Sequence, residues 1–213
     1  MTALPWHLPG VADRLADVVA ALELDLRVAQ APHGLDAWDE RRLQHALAAG
    51  LRPAYDVALE AHYPSTAGRK LTHRQRCDLV LTPRGRPLRQ ETTLLPFDLC
   101  PPEEALWIEL KLAHQRGEGG AAKAGYGTKW RRQLVDDLRK MAAEPCIREA
   151  ALVLVVFTDT VETVTRDLDT FEALLAEDNV LAGFRHVRNL PIVERIGHRV
   201  CTVALWPTVQ AAP

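Results

Sequence analysis

The chain has 213 residues, 47% of them hydrophobic and 25% charged, with a formal net charge of −2. That length gives one domain, residues 1–213, room for a real core that buries roughly 70% of the unfolded surface, and the composition excludes a disordered, collagenous or disulfide-scaffold chain. The near-zero charge carries no overall sign of a nucleic-acid binder, and the only serine, Ser65, lies outside any Gly-x-Ser-x-Gly elbow, which removes the serine hydrolases.

The pattern predicts a first helix over residues 11–24, with Leu15, Val18, Val19 and Leu22 at helical spacing. A second starts after Asp36, read as its N-cap, and ends at Gly50, read as the C′ residue. Residues 54–62 read as a strand, 76–82 as a second stopped by Pro83, and 104–113 as a third. Residues 128–143 form an amphipathic helix with Trp130, Leu134, Leu138 and Met141 on one stripe. The continuous apolar run 150–158 has the look of a strand covered on both faces. A further helix over 166–177 and a last strand over 199–206 complete the series. A meander followed by a crossover helix into a buried strand predicts an α/β fold: a mixed sheet with helices on both faces.

Two general features bound the setting. The longest apolar run, Ala150 to Phe157, has eight residues, against about 20 for a bilayer span, and the N-terminus lacks the basic and apolar segments of a signal peptide. Cys77, Cys100, Cys146 and Cys201 are scattered without Cys-x-x-Cys spacing, so reduced thiols in a cytoplasm are expected and zinc is not.

The charge is unevenly distributed. Residues 69–91 carry seven Lys/Arg against two acids, and residues 111–140 carry eight against three, a surplus of five in each block. Acidic segments offset them before, between and after. The ordinary alternative for each block is a solvated face.

Between the two blocks lies the constellation with chemical meaning. In the third strand the two-residue period puts Leu106, Ile108, Leu110 and Leu112 on one face and Trp107, Glu109 and Lys111 on the other. Glu109 and Lys111 then project side by side, roughly 7 Å apart at Cα. Asp78 stands mid-strand among apolar residues, where aspartate is disfavoured without a reason. If the second and third strands pair, the three side chains converge. Two carboxylates suit a hard cation such as Mg²⁺, which stabilises charge developing on a phosphate. An ammonium beside it can position an attacking water, its pKa lowered by the cation and raised by the acids.

On these residues, Asp78 followed by Glu109-Leu110-Lys111, the chain resembles the PD-(D/E)XK nuclease superfamily over about residues 36–158. The proline usual before the aspartate is Cys77 here. The resemblance implies a restriction-endonuclease-like fold and Mg²⁺-dependent phosphodiester hydrolysis, with Mn²⁺ able to substitute. Asp78 and Glu109 would be metal ligands and Lys111 catalytic. Glu40 is the candidate for the extra helical glutamate of such enzymes, although the macrodipole favours an acid in a first helical turn regardless. Gln133, which shares a helix face with Asp137, is the candidate polar contact from the crossover helix, or else a plain polar edge; Gln115 is a weaker one. DNA is the expected substrate, with RNA open, and Arg76, Lys123, Lys129 and Arg132 are the candidate phosphate contacts. A homodimer or a partner subunit, as in a bacterial defence complex, is compatible. The alternative function is a non-catalytic subunit of the same fold that binds or assembles.

Gly117-Glu-Gly-Gly-Ala-Ala imitates a dinucleotide-binding loop, but Gly125 and Gly127 follow and no helix opens at the motif. The long Pro- and Arg-rich connection 83–104 is of a length that is often functional. His73 and His114 read as solvent-exposed, and Trp6, Trp38 and Trp206 as packing residues.

Overall fold

The computed structural model describes residues 6–67, 70, 75–90, 98–117 and 119–209. Four helices, α1 (Leu8–Val28), α2 (Glu40–Leu51), α3 (Tyr126–Ala142) and α4 (Val161–Glu177), accompany six strands among them. The strands are β1 (Tyr55–His62), β2 (Arg76–Pro83), β3 (Leu106–His114), β4 (Glu149–Thr158), β5 (His186–Pro191) and β6 (Val200–Pro207). They form one sheet in the order β1-β2-β3-β4-β6-β5. Only β3 and β4 run parallel, joined by the crossover helix α3, and every other neighbour is antiparallel.

Residue alternation divides the core into two layers. Leu79, Leu81, Leu106, Ile108, Leu110, Val153 and Val155 pack with α1 and α2 on one face. Val80, Trp107, Leu152 and Leu154 pack with α3 and α4 on the other. β4 is buried along almost its whole length, as its unbroken apolar run requires. The mixed α/β sheet with helices on both faces is therefore present. No helix among the described residues is long and apolar enough to cross a membrane.

Three expectations need correction. The cap of α2 is Asp39, whose carboxylate accepts the Arg42 N–H at 2.7 Å. Asp36 sits instead in a 3-10 turn (Leu35–Ala37), where its carboxylate serves a distant partner described below. Gly50 lies within α2 rather than ending it, because α1 packs directly onto it: a Cβ there would stand 2.5 Å from Val18 Cγ1 and 2.6 Å from Cγ2. Edge strand β5 was not expected; His-Val-Arg-Asn-Leu-Pro offers too few apolar positions to show a period.

Gly50 yields a test. Intrinsic propensity favours alanine over glycine inside a helix by about 1 kcal/mol. The stiff Val18 side chain reverses that sign, so Gly50→Ala should destabilise the protein by about 1–3 kcal/mol, measured by denaturant unfolding.

Candidate active site

The site exists because two strands part. Among the described residues β2 and β3 pair only over Leu79–Leu81 against Leu106–Ile108, whereas β3 stays paired with β4 as far as His114. Beyond Ile108 the outward amides of β3 lack a strand partner, and buried backbone donors must find another acceptor. Acidic side chains supply it. Leu110 N–H donates to Asp78 Oδ2 at 2.8 Å, and Leu112 N–H to Glu40 Oε2 at 3.0 Å. The splay thus draws one carboxylate from β2 and one from the first turn of α2 to the same edge of β3.

Lys111 lies between them. Its Nζ is 3.5 Å from Glu40 Oε1, 3.9 Å from Asp78 Oδ2 and 3.5 Å from Asp137 Oδ2 of α3. Glu109 is only 2% exposed. Its Oε1 accepts the Tyr63 hydroxyl at 2.6 Å and stands 2.6 Å from Lys140 Nζ, also of α3. Tyr63 is itself fixed by stacking on Trp107 at 5.4 Å. On the outer side, Gln44 of α2 donates from Nε2 to the Asp78 carbonyl at 2.8 Å and to Glu60 Oε1 at 3.0 Å. Glu60 has φ 52°, a left-handed conformation that costs a non-glycine residue about 1–3 kcal/mol and tends to occur at functional sites.

Charge is crowded here. Burial, then the neighbouring charge of Asp78, pushes the Glu109 carboxyl up to about 7, with Lys140 opposing. Burial also raises Glu40, against the pull of Lys111. For Lys111, burial works to lower the pKa but Asp137, Glu40 and Asp78 together outweigh it, so the ammonium is held charged. Lys140 is raised in the same way by Glu109 and Asp137.

These donors fit a hard divalent cation. Mg²⁺ commonly takes one or two protein carboxylates and keeps the rest of its octahedron for water and substrate oxygens. Asp78 Oδ1 and Glu109 Oε2 accept no hydrogen bond among the described residues, while the opposite oxygen of each is fixed. No group of three or more His, Cys, Asp or Glu among those residues forms a ready-made metal site. A cation there would relieve the repulsion that raises Glu109. Millimolar Mg²⁺ or Ca²⁺ should therefore stabilise the protein by about 1–3 kcal/mol at 10–100 times its Kd, and Glu109→Gln should remove that shift in thermal denaturation.

The residues singled out in the sequence fall into two groups. Asp78, Glu109, Lys111 and Glu40 come together. Gln133 is exposed and bonds to none of them; α3 reaches the cluster one and two turns later, through Asp137 and Lys140. Gln115 Oε1 accepts the Asp159 N–H at 2.8 Å and holds a loop. Arg76, Lys123, Lys129 and Arg132 are exposed and make no ion pair among the described residues. Other members of the basic blocks are committed elsewhere: Arg84 donates to the Pro53 carbonyl, Arg86 pairs with Asp98 and Glu104, and Arg131 pairs with Asp167. Arg69, His73, Arg74 and part of the connection 83–104 lie outside the described residues. His114 is not solvent-exposed but half-buried, stacked on Phe157 at 5.3 Å. Burial and then Lys123 bring it down to about 4.

The sequence assigns no site role to Tyr63, Gln44 or Lys140, and it marks Asp137 only as sharing a helix face with Gln133. The available signal was the spacing 133, 137, 140, one polar stripe on α3 that continues past Gln133. Comparison with known proteins finds no matching family model, no matching curated protein and no matching solved structure.

Proposed function

We propose that this chain is a Mg²⁺-dependent nuclease of the PD-(D/E)XK kind, with a restriction-endonuclease-like fold, hydrolysing phosphodiester bonds in DNA. One observation carries the reading: Asp78, Glu109, Glu40 and Lys111, from three separate elements, meet where β2 and β3 part, with one carboxylate oxygen of each proposed ligand unbonded among the described residues.

Asp78 and Glu109 would hold the cation, which when bound supplies Lewis-acid stabilisation of charge on the phosphate. Tyr63 and Lys140 grip one oxygen of Glu109 and leave Oε2 for the ligand role. Leu110 N–H does the same for Asp78. Lys111, kept charged and fixed by Glu40 and Asp137, donates from Nζ to a phosphate oxygen or to the attacking water; it orients and stabilises rather than accepting a proton. Arg76, Lys129 and Arg132 meet the phosphates of the strand at the surface. One such site cuts one strand, so double-strand cleavage requires a second copy or a partner subunit.

The test is incubation with supercoiled plasmid and with single-stranded DNA. The expected result is nicking or degradation with Mg²⁺ or Mn²⁺ and none with EDTA. Inactivity on DNA and RNA with every divalent metal would overturn the reading in favour of a non-catalytic subunit.

A further inference from the structure

Beyond the C-terminal end of β3 a cavity of about 380 Å³ opens directly beside the site, sharing Glu40 and Leu112 with it. Its remaining wall includes Trp38, His114, Arg116 and Lys123. We propose that this cavity is a phosphate subsite that holds a neighbouring phosphodiester of the same DNA strand, bound by Arg116, Lys123 and His114; the proposal rests on the nuclease reading and extends it.

Position is the first argument. His114 and Arg116 continue β3 three and five residues past Lys111, so the cavity begins roughly 10 Å along the strand from the proposed catalytic lysine. That is the reach of a nearby phosphate of a strand whose scissile bond lies at Lys111.

Unused hydrogen-bonding capacity is the second. His114 Nε2 and Arg116 Nε are buried and have no hydrogen-bond partner among the described residues. Buried groups of this kind are costly to leave unpaired and call for a ligand or water. Lys123 makes no ion pair with a described residue and is exposed at the mouth.

The third is that Arg116 is held in place by a buried device. Arg116 N–H donates to His198 Nε2 at 3.0 Å, and His198 Nδ1 in turn contacts Asp36 Oδ2 at 3.0 Å. Because Nε2 is an acceptor, Nδ1 carries the proton and donates it to Asp36. The two side chains are 0% and 1% exposed. Arg116 is fixed further by Nη1 donating to the Gly120 carbonyl at 3.0 Å and by Nη2 at 3.8 Å from Asp159. A fully buried Asp–His pair that fixes one backbone amide at a cavity wall is how a binding group is preorganised.

Acids also line the cavity. Asp36 gives Oδ2 to His198, while its Oδ1 is buried without a hydrogen-bond partner among the described residues. Asp39 caps α2, and Glu40 holds Leu112 N–H and Lys111. Among the cationic groups of the wall, Arg116 Nε and Lys123 are left without a partner among the described residues.

The experiment compares wild type with Arg116→Gln and Lys123→Gln, the latter an exposed site whose replacement disturbs no described contact. Binding of a fluorescein-labelled single-stranded 20-mer is followed by anisotropy in EDTA across a salt series, and cleavage with Mg²⁺ is measured in parallel. Each variant should bind about tenfold more weakly at low salt, with a salt slope smaller by about 0.7, the value for one phosphate contact on a single strand. In cleavage, KM should rise more than kcat falls. A neutral methylphosphonate placed near the scissile bond should weaken wild type by a similar factor and Arg116→Gln much less. Wild-type cleavage with unchanged slopes in both variants, or equal sensitivity of Arg116→Gln to the neutral linkage, would overturn the subsite while leaving the nuclease reading intact. A wild type that neither binds nor cuts would overturn both.

Discussion

Lys111→Ala should remain folded, retain its stabilisation by divalent cation, and lose cleavage by about 10²–10³-fold or more, the usual cost of deleting one preorganised donor to developing charge. The reason is the division of labour in the splay between β2 and β3. The proposed ligand oxygens belong to Asp78 and Glu109, which Leu110 N–H, Tyr63 and Lys140 hold independently of Lys111. Removing the ammonium leaves three acids facing one another, Glu40, Asp78 and Asp137, and that arrangement favours cation binding rather than opposing it. Lys111→Arg should not restore activity, because a planar fork on a longer arm cannot occupy the place of a compact point charge among three carboxylates. Glu109→Gln behaves differently: it should lose the cation-dependent thermal shift and the cleavage together. Wild-type cleavage by Lys111→Ala would remove the assigned role.

His198→Ala should be the most damaging single change to stability. It leaves the buried Asp36 carboxyl without its imidazole partner, and it strands the Arg116 N–H. Each buried group left unpaired costs about 1–3 kcal/mol, and two are left here, against a total stability of about 5–15 kcal/mol for an ordinary domain. At this chain length that corresponds to a fall in melting temperature of roughly 4–24 °C. His198→Gln, which can still donate and accept, should lose clearly less. A melting temperature within about 2 °C of wild type for His198→Ala, under 1 kcal/mol at this size, would show that the pair does not stabilise the fold.

Most of the layout could be read from local patterns. The alternation in Leu106–Leu112 predicts which residues of β3 enter the core with α1 and α2, and the structure places Leu106, Ile108 and Leu110 there. Asp78 stood out because a mid-strand aspartate needs a reason, and the reason is the unpaired Leu110 N–H. What could not be read depends on distant approach. Asp36 and Asp39 are both plausible caps by residue type; only the arrival of His198, 162 residues away in sequence, decides that Asp36 does something else. Tyr63 reaches Glu109 from just past the end of β1, 46 residues away in sequence, and Lys140 reaches it from α3, by how that helix crosses the sheet. Gln133 lay on the correct stripe of α3, but the helix enters the cluster through its second half, at Asp137 and Lys140. The near-zero net charge hid a local fact of the same kind. Many of the basic residues in the two blocks are bound to acids or carbonyls within the fold, and a small exposed set, Arg76, Lys123, Lys129 and Arg132, is left for phosphate.

The most direct measurement is the structure of crystals soaked in Mn²⁺, with the ion located by its anomalous scattering. The account predicts a peak in contact with Asp78 and Glu109, within reach of Lys111, and its loss in Glu109→Gln. An active enzyme with no ion at those two carboxylates at millimolar Mn²⁺ would contradict it.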